Sequence, residues 1–257
     1  MDLDLSDKRA LITGGAGGIG SAIGAELAAH GARVLLADLN EAAGQNAAAA
    51  IQGGLFEPAD LTSVESCRAL IERAEARMGG VDILVNNAGA QYVSPVEQFP
   101  EDRWERLIRL MLIAPFVLTK YALPGMYRRR WGRIINLASI QGLVASPFKS
   151  AYVSAKHGLI GFTKSIALEA AGNGVTVNAI CPSYVRTALV EGQIADQAKT
   201  HGIPEDQVIE QIMLEPAAIK RLLEPREVAG YALYLCSELA SGITGAAQVI
   251  DCGWTAR

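Results

Sequence analysis

Hydrophobic positions along this chain fall into two recurring patterns. Short apolar runs of about five or six residues, bounded by charge or glycine, alternate with longer stretches of helical spacing rich in Ala and Leu. The first kind reads as buried strands and the second as helices packed on them. Strands are predicted at Lys8–Thr13, Arg33–Asp38, Gly54–Asp60, Asp82–Asn86, Gly132–Ala138, Val175–Ile180 and Ala247–Asp251. Helices are predicted at about Ser21–His30, Glu41–Ile51, Ser63–Met78, Glu101–Met126, Ala151–Ala171 and Arg226–Leu239. This alternation predicts an α/β fold, a doubly wound parallel sheet of about seven strands with helices on both faces. No composition break or repeat divides the chain, so residues 1–257 read as one domain. Only residues 185–223 leave the rhythm. They form a long polar helical stretch after a strand's carboxyl end, where such folds place a substrate lid.

Composition narrows the function. Half of the 257 residues are hydrophobic and the net charge is −4. That supports a full core and gives no disordered or nucleic-acid-binding surface. The basic cluster Arg128–Arg130 reads as a solvated helix end. The first residues are acidic and no apolar run approaches ~18 residues, so neither a leader nor a membrane span is expected and the chain reads as cytoplasmic. Cys67, Cys181, Cys236 and Cys252 are scattered, as are His30, His157 and His201. That spacing suits reduced packing thiols and predicts no metal site.

The first strand runs into Gly14-Gly-Ala-Gly-Gly-Ile-Gly20 and then a helix. Strand, glycine turn and helix N-terminus together suit a dinucleotide pyrophosphate, which needs close backbone approach and unpaired N–H groups. Asp38 closes the second strand 18 residues past Gly20. A carboxylate there accepts hydrogen bonds from a ribose diol and repels a 2′-phosphate. With no nearby Lys or Arg to welcome that phosphate, NAD is expected over NADP. Asp38 also suits a helix N-cap, with Asn40 and Glu41 following.

Tyr152 and Lys156 are one helical turn apart and share a helix face. A cation ~4 Å from a phenolate, at an effective dielectric of ~20, contributes ~4 kcal/mol, or about three pK units. This spacing alone would bring Tyr152 near pH ~7, where a proton shuttle works well. Asn86 to Gly89 end the fourth strand, and Ser139 ends the fifth, thirteen residues before Tyr152. All of these converge on one crevice at the carboxyl edge of the sheet.

These residues together resemble the short-chain dehydrogenase/reductase family. The matching positions are Thr13-Gly-x-x-x-Gly-Ile-Gly20, Asp60-Leu61, Asn86-Asn-Ala-Gly89, Ser139, Tyr152-x-x-x-Lys156 and Pro182, in the family's order. The resemblance implies a Rossmann-type fold, a homotetramer and a nicotinamide cofactor. It also implies that Tyr152 is the general acid–base, with Lys156 lowering its pKa and Ser139 fixing the substrate oxygen. NAD would be held by Gly14, Gly18, Ile19, Gly20, Asp38, Asp60, Leu61, Asn87, Ala88, Gly89, Tyr152, Lys156 and Pro182. Within the family the pattern is most like D-3-hydroxybutyrate dehydrogenases, through Gln91-Tyr-Val-Ser-Pro95, residues 142–152, Leu189-Val-Glu-Gly-Gln193 and Gly253-Trp-Thr-Ala256.

That likeness implies a small hydroxy acid, oxidised to its oxo acid and gripped by Gln91, Gln141, Lys149, Gln193 and Trp254. The 253–257 tail would lie near a subunit contact. Lys149, three residues before Tyr152, suits a carboxylate as a charge-assisted donor. Lys149 also suits a solvated cation, and Trp254 a packed tail. Two departures stand out. Gln141 occupies a position where the family usually has His, which opens a polyol, sugar acid or 3-oxoacyl substrate as an alternative. Met111 occupies the position of an Asn that bends a helix and holds a relay water, which opens a catalytically impaired NAD-binding protein.

Overall fold

The computed structural model describes residues 3–256. Seven parallel strands form one sheet: β1 (Arg9–Thr13), β2 (Arg33–Asp38), β3 (Leu55–Pro58), β4 (Ile83–Asn86), β5 (Gly132–Leu137), β6 (Val175–Pro182) and β7 (Ala247–Ile250). Their order is β3-β2-β1-β4-β5-β6-β7. Chain progression reverses between β1 and β4, which opens a crevice at their carboxyl ends. Every residue of β5 and β6 is buried, as central strands covered on both faces require.

Strand alternation sorts the core into two layers. On one side Ala10, Ile12, Val34, Leu36, Ile83 and Val85 pack against α1 (Gly18–Ala29), α2 (Glu41–Ala49) and α10 (Pro225–Cys236). On the other, Leu11, Leu35, Leu84 and Ile134 meet α3 (Val64–Met78), α5 (Ala114–Arg129) and α6 (Ser150–Ala170). The predicted helix from Glu101 is continuous to Arg129 but contains a π turn. It runs as α4 (Glu101–Ile108), the π turn Arg109–Ile113 and then α5. Met111 lies in that turn, 1% exposed, among Leu107, Ala151 and Ala155.

Two sequence readings need correction here. Residues 101–129 are long and apolar enough, by length and composition, to cross a membrane. In this fold α5 instead lends Val117, Leu118, Ala122 and Met126 to the core. The Arg128–Arg130 cluster is not simply solvated. Arg129 donates through Nε to Asp82 Oδ1 (2.6 Å) and through Nη2 to the Val81 carbonyl (2.5 Å). Arg9 grips the same carboxylate through Nε (2.5 Å) and Nη2 (2.9 Å). Burial works to raise the Asp82 carboxyl, but the two guanidinium groups outweigh it and hold it below its usual range.

The long excursion after β6 folds into short helices, α7 (Ala188–Glu191), α8 (Ile194–His201) and α9 (Glu205–Val208), followed by a π turn, Ile209–Met213. Val190, Ala198, Val208 and Met213 give it a small core of its own. A parallel bridge between Val185 and Leu223 closes its base. Two backbone bonds reinforce that closure, Arg186 N–H to Leu223 O (2.8 Å) and Leu223 N–H to Tyr184 O (2.9 Å).

Candidate active site

The carboxyl ends of β1, β4, β5 and β6 and the start of the excursion enclose a cavity of about 320 Å³. One end is the glycine turn. Gly17, Gly18 and Ile19 line it, and α1 follows the capping position Gly17, which has no side chain to cap it. Its first N–H groups and the positive end of its dipole are therefore left for a ligand anion. Gly14 adopts φ +64°, and a Cβ there would come within 2.9 Å of the Ala88 Cα. Only glycine meets both the conformation and the space. Gly20 does not line the cavity. Its Cα packs on the Gly14 carbonyl, which keeps the turn tight.

Asp38 lines the cavity and braces the same turn. Its Oδ2 accepts from the Ala16 N–H (3.1 Å) and its Oδ1 from the Asn40 N–H (3.0 Å). The N-cap of α2 is Asn40, whose side chain accepts from the Ala43 N–H. Asn87 is a strut between strands. Its Nδ2 donates to the carbonyls of Thr13 (2.9 Å) and Gly14 (3.0 Å), while Ala88 and Gly89 face the cavity beside it. A wall of bare backbone and a helix N-terminus, with a carboxylate at the far end of β2, fits a nicotinamide dinucleotide.

Ser139, Tyr152 and Lys156 meet at the other end. Ser139 lies close enough to the Tyr152 phenol to lower its pKa, and its hydroxyl accepts the Gln141 N–H (3.1 Å). Lys156 Nζ donates to the Leu137 carbonyl (2.5 Å) and lies 5.5 Å from the centroid of the Tyr152 ring. The figure near 7 expected from helical spacing is corrected here. Burial pushes the Tyr152 phenol up to about 12, against the lowering effect of Ser139. Burial also pushes Lys156 down to about 8. Each charge is penalised by lost solvent, which keeps Tyr152 a neutral phenol at pH 7 and makes Lys156 a weaker base than a free lysine.

Gln91, Gln141, Lys149 and Gln193 all line the cavity. Lys149 is only 4% exposed, and its Nζ donates to the Tyr184 hydroxyl (3.2 Å) with no carboxylate in ion-pair reach among the described residues. Trp254 is not in the wall. Asp251 accepts from the Gly253 N–H (2.8 Å) and the Thr255 N–H (2.8 Å), which turns the tail back on itself. The Trp254 indole then donates to the Met213 carbonyl (3.2 Å) at the base of the excursion. Arg257, the end of that tail, lies outside the described residues. Asp60 and Leu61 are also outside the wall. Asp60 accepts from Thr62, and Leu61 is buried in the core beside Cys67.

Sequence reasoning missed Gly17, Ser183, Tyr184, Thr187 and Val190, which line the cavity. Thr187 reaches the glycine turn, because a Cβ on Gly18 would come within 3.1 Å of its Cγ2. The available signal was position, since all but Gly17 follow β6 at the entrance to the excursion.

This chain belongs to the short-chain dehydrogenase family, whose pattern matches residues 8–198. It is an oxidoreductase with a Rossmann-type sheet, of a family that uses nicotinamide cofactors. It is 48% identical over 252 residues to an uncharacterized oxidoreductase, YxjF, of Bacillus subtilis (strain 168), covering 96% of this chain and 98% of that one. It is 47% identical over 260 residues to a D-beta-hydroxybutyrate dehydrogenase of Rhizobium meliloti (strain 1021), covering 97% and 99%. A D-beta-hydroxybutyrate dehydrogenase of Cupriavidus necator is 44% identical over 257 residues, covering 98% and 100%.

Proposed function

We propose that this protein is an NAD-dependent dehydrogenase that interconverts a short 3-hydroxy acid and its 3-oxo acid, with 3-hydroxybutyrate and acetoacetate the lead pair. The observation that carries the acid is Lys149. A buried ammonium whose polar contact is a neutral phenol calls for an anion, and the cavity opens beside it. Two of the relatives above bear the name of that activity.

When bound, the nicotinamide supplies the hydride acceptor for alcohol oxidation and the hydride donor for the reverse. The chain's own residues do the rest. Lys149 holds the carboxylate, with Gln91 and Gln193 beside it. Ser139 binds the reacting oxygen and fixes its angle, aided by the Gln141 N–H on its own oxygen. During reduction the Tyr152 phenol gives its proton to the substrate oxygen and becomes a phenolate, and during oxidation that phenolate takes the hydroxyl proton and becomes the phenol. Lys156 supports the phenolate as it forms. The N-terminus of α1 takes the pyrophosphate and Asp38 the adenosine ribose diol, which favours NAD over NADP. Residues 185–223 act as a lid that excludes water. The family likeness adds a homotetramer and a cytoplasmic location.

The test is NADH and NADPH oxidation by the purified protein with acetoacetate, longer 3-oxo acids and neutral ketones. Acetoacetate with NADH is expected to give the highest kcat/KM. Turnover of neutral ketones alone would remove the carboxylate grip.

A further inference from the structure

The Gln141 side chain lines the cavity and is 5% exposed, yet neither its Nε2 nor its Oε1 has a hydrogen-bond partner. A buried amide normally satisfies both atoms. Its backbone is pinned on the short turn that carries Ser139, through the N–H bond to Ser139 Oγ (3.1 Å). The residue that carries the unmet amide thus sits two positions from Ser139, the group assigned to the reacting oxygen, in the wall of the same cavity.

A carboxylate does not need this group and could meet only its Nε2 donor, not its Oε1. Lys149 has ammonium protons left after bonding Tyr184. The Tyr184 oxygen accepts from Lys149, so its own proton is free to donate. Gln91 uses its amide oxygen on the Tyr92 N–H (3.1 Å) and so presents its NH₂. These donors complete the grip on a carboxylate, which only accepts. Gln141 Oε1 calls for a donor. On 3-hydroxybutyrate the single hydroxyl is engaged by Ser139 and Tyr152, and a methyl cannot donate.

We infer that the substrate is a hydroxy acid carrying a second hydroxyl on a carbon next to the reacting one, and that the Gln141 amide both donates to and accepts from that hydroxyl. This rests on the hydroxy-acid reading above and replaces its lead pair with an acid of the dihydroxy, sugar-acid type. One hydroxyl matches an amide's donor and acceptor at once, and a site built for it discriminates against the analogue that lacks it.

The experiment measures kcat/KM with NAD for 3-hydroxybutyrate, 2,3-dihydroxybutyrate and 3,4-dihydroxybutyrate, in the wild type, Gln141→Leu and Gln141→Met. The wild type is expected to favour at least one dihydroxy acid by about 10- to 100-fold. Both variants are expected to lose most of that ratio while their thermal midpoints hold or rise, since two unmet buried atoms are gone. A wild type that prefers 3-hydroxybutyrate overturns the inference and leaves the hydroxy-acid reading standing. So does a ratio that survives substitution, or a midpoint that falls sharply in both variants, which would mean the amide is bonded within the fold. Oxidation of neutral alcohols only would overturn both readings.

Discussion

Lys149 shows how burial gives a common side chain a particular use. On a surface its ammonium would be one solvated charge among many. At 4% exposure, beside Tyr184, it requires an anion. Lys149→Met is therefore expected to raise KM for acetoacetate at least tenfold more than for a neutral ketone of the same length. An equal effect on both would take Lys149 out of substrate binding. Tyr152→Phe keeps the ring and removes the proton carrier, so kcat is expected to fall by about 10²–10⁴ with cofactor affinity nearly unchanged. Isothermal titration and steady-state rates together check this, and retained turnover would exclude Tyr152 as the acid–base. Asp38→Ala is expected to narrow the NAD-over-NADP ratio of kcat/KM. That a carboxylate would stand at the end of β2, in the cavity wall, was legible from its place at the end of a strand. Trp254 lies outside this chain's cavity wall, and nothing local in the sequence showed that Asp251 folds the tail toward Met213.

Among the elements, the helix through Met111 best separates pattern from packing. The sequence marked one helix from Glu101, with a methionine where a helix-bending Asn was anticipated. The π turn is present with the methionine in it, at Arg109–Ile113, so the bend does not depend on an Asn side chain. The methionine packs instead on Ala151 and Ala155 of α6, the helix that also carries Tyr152 and Lys156. Met111→Asn would bury an amide there. The expected cost is about 1–3 kcal/mol of stability, a drop of several degrees in Tm, while kcat holds or improves. A large fall in kcat would mean that the thioether itself shapes the site. The excursion makes the same point. Its helical character was readable, but the Val185–Leu223 bridge that anchors it joins residues 38 positions apart in sequence.

At the scale of the molecule, burial of Tyr152 and Lys156 sets a cost that depends on pH. Lys156 titrates at about 8 in the fold against 10.5 as a free side chain. Between those values the unfolded chain holds more protons, so the lysine destabilises the fold below pH ~8 by on the order of 3 kcal/mol. That penalty fades as pH rises to ~10.5. Tyr152 runs the other way, raised from 10 to about 12. Its contribution is present below pH ~10 and is lost as pH rises toward ~12. Lys156→Met is accordingly expected to be inactive yet more stable than the wild type at pH 7, by about 1–3 kcal/mol, with the gap closing between pH ~8 and ~10.5. Urea titrations across that range check it, and a variant less stable at every pH would refute it. The sequence alone determined the parallel sheet, the glycine turn and the acid after β2, because strand period and glycine spacing are local signals. It also marked Ser139, Tyr152 and Lys156, whose spacing is set by one strand end and one helix turn. Only the tertiary structure decided which polar groups were left unmet, that burial outweighs the lowering effect of Ser139 on Tyr152, and that Tyr184 and Thr187 form part of the wall. Those outcomes depend on what surrounds each group, and that is fixed by long-range packing rather than by neighbours in the chain.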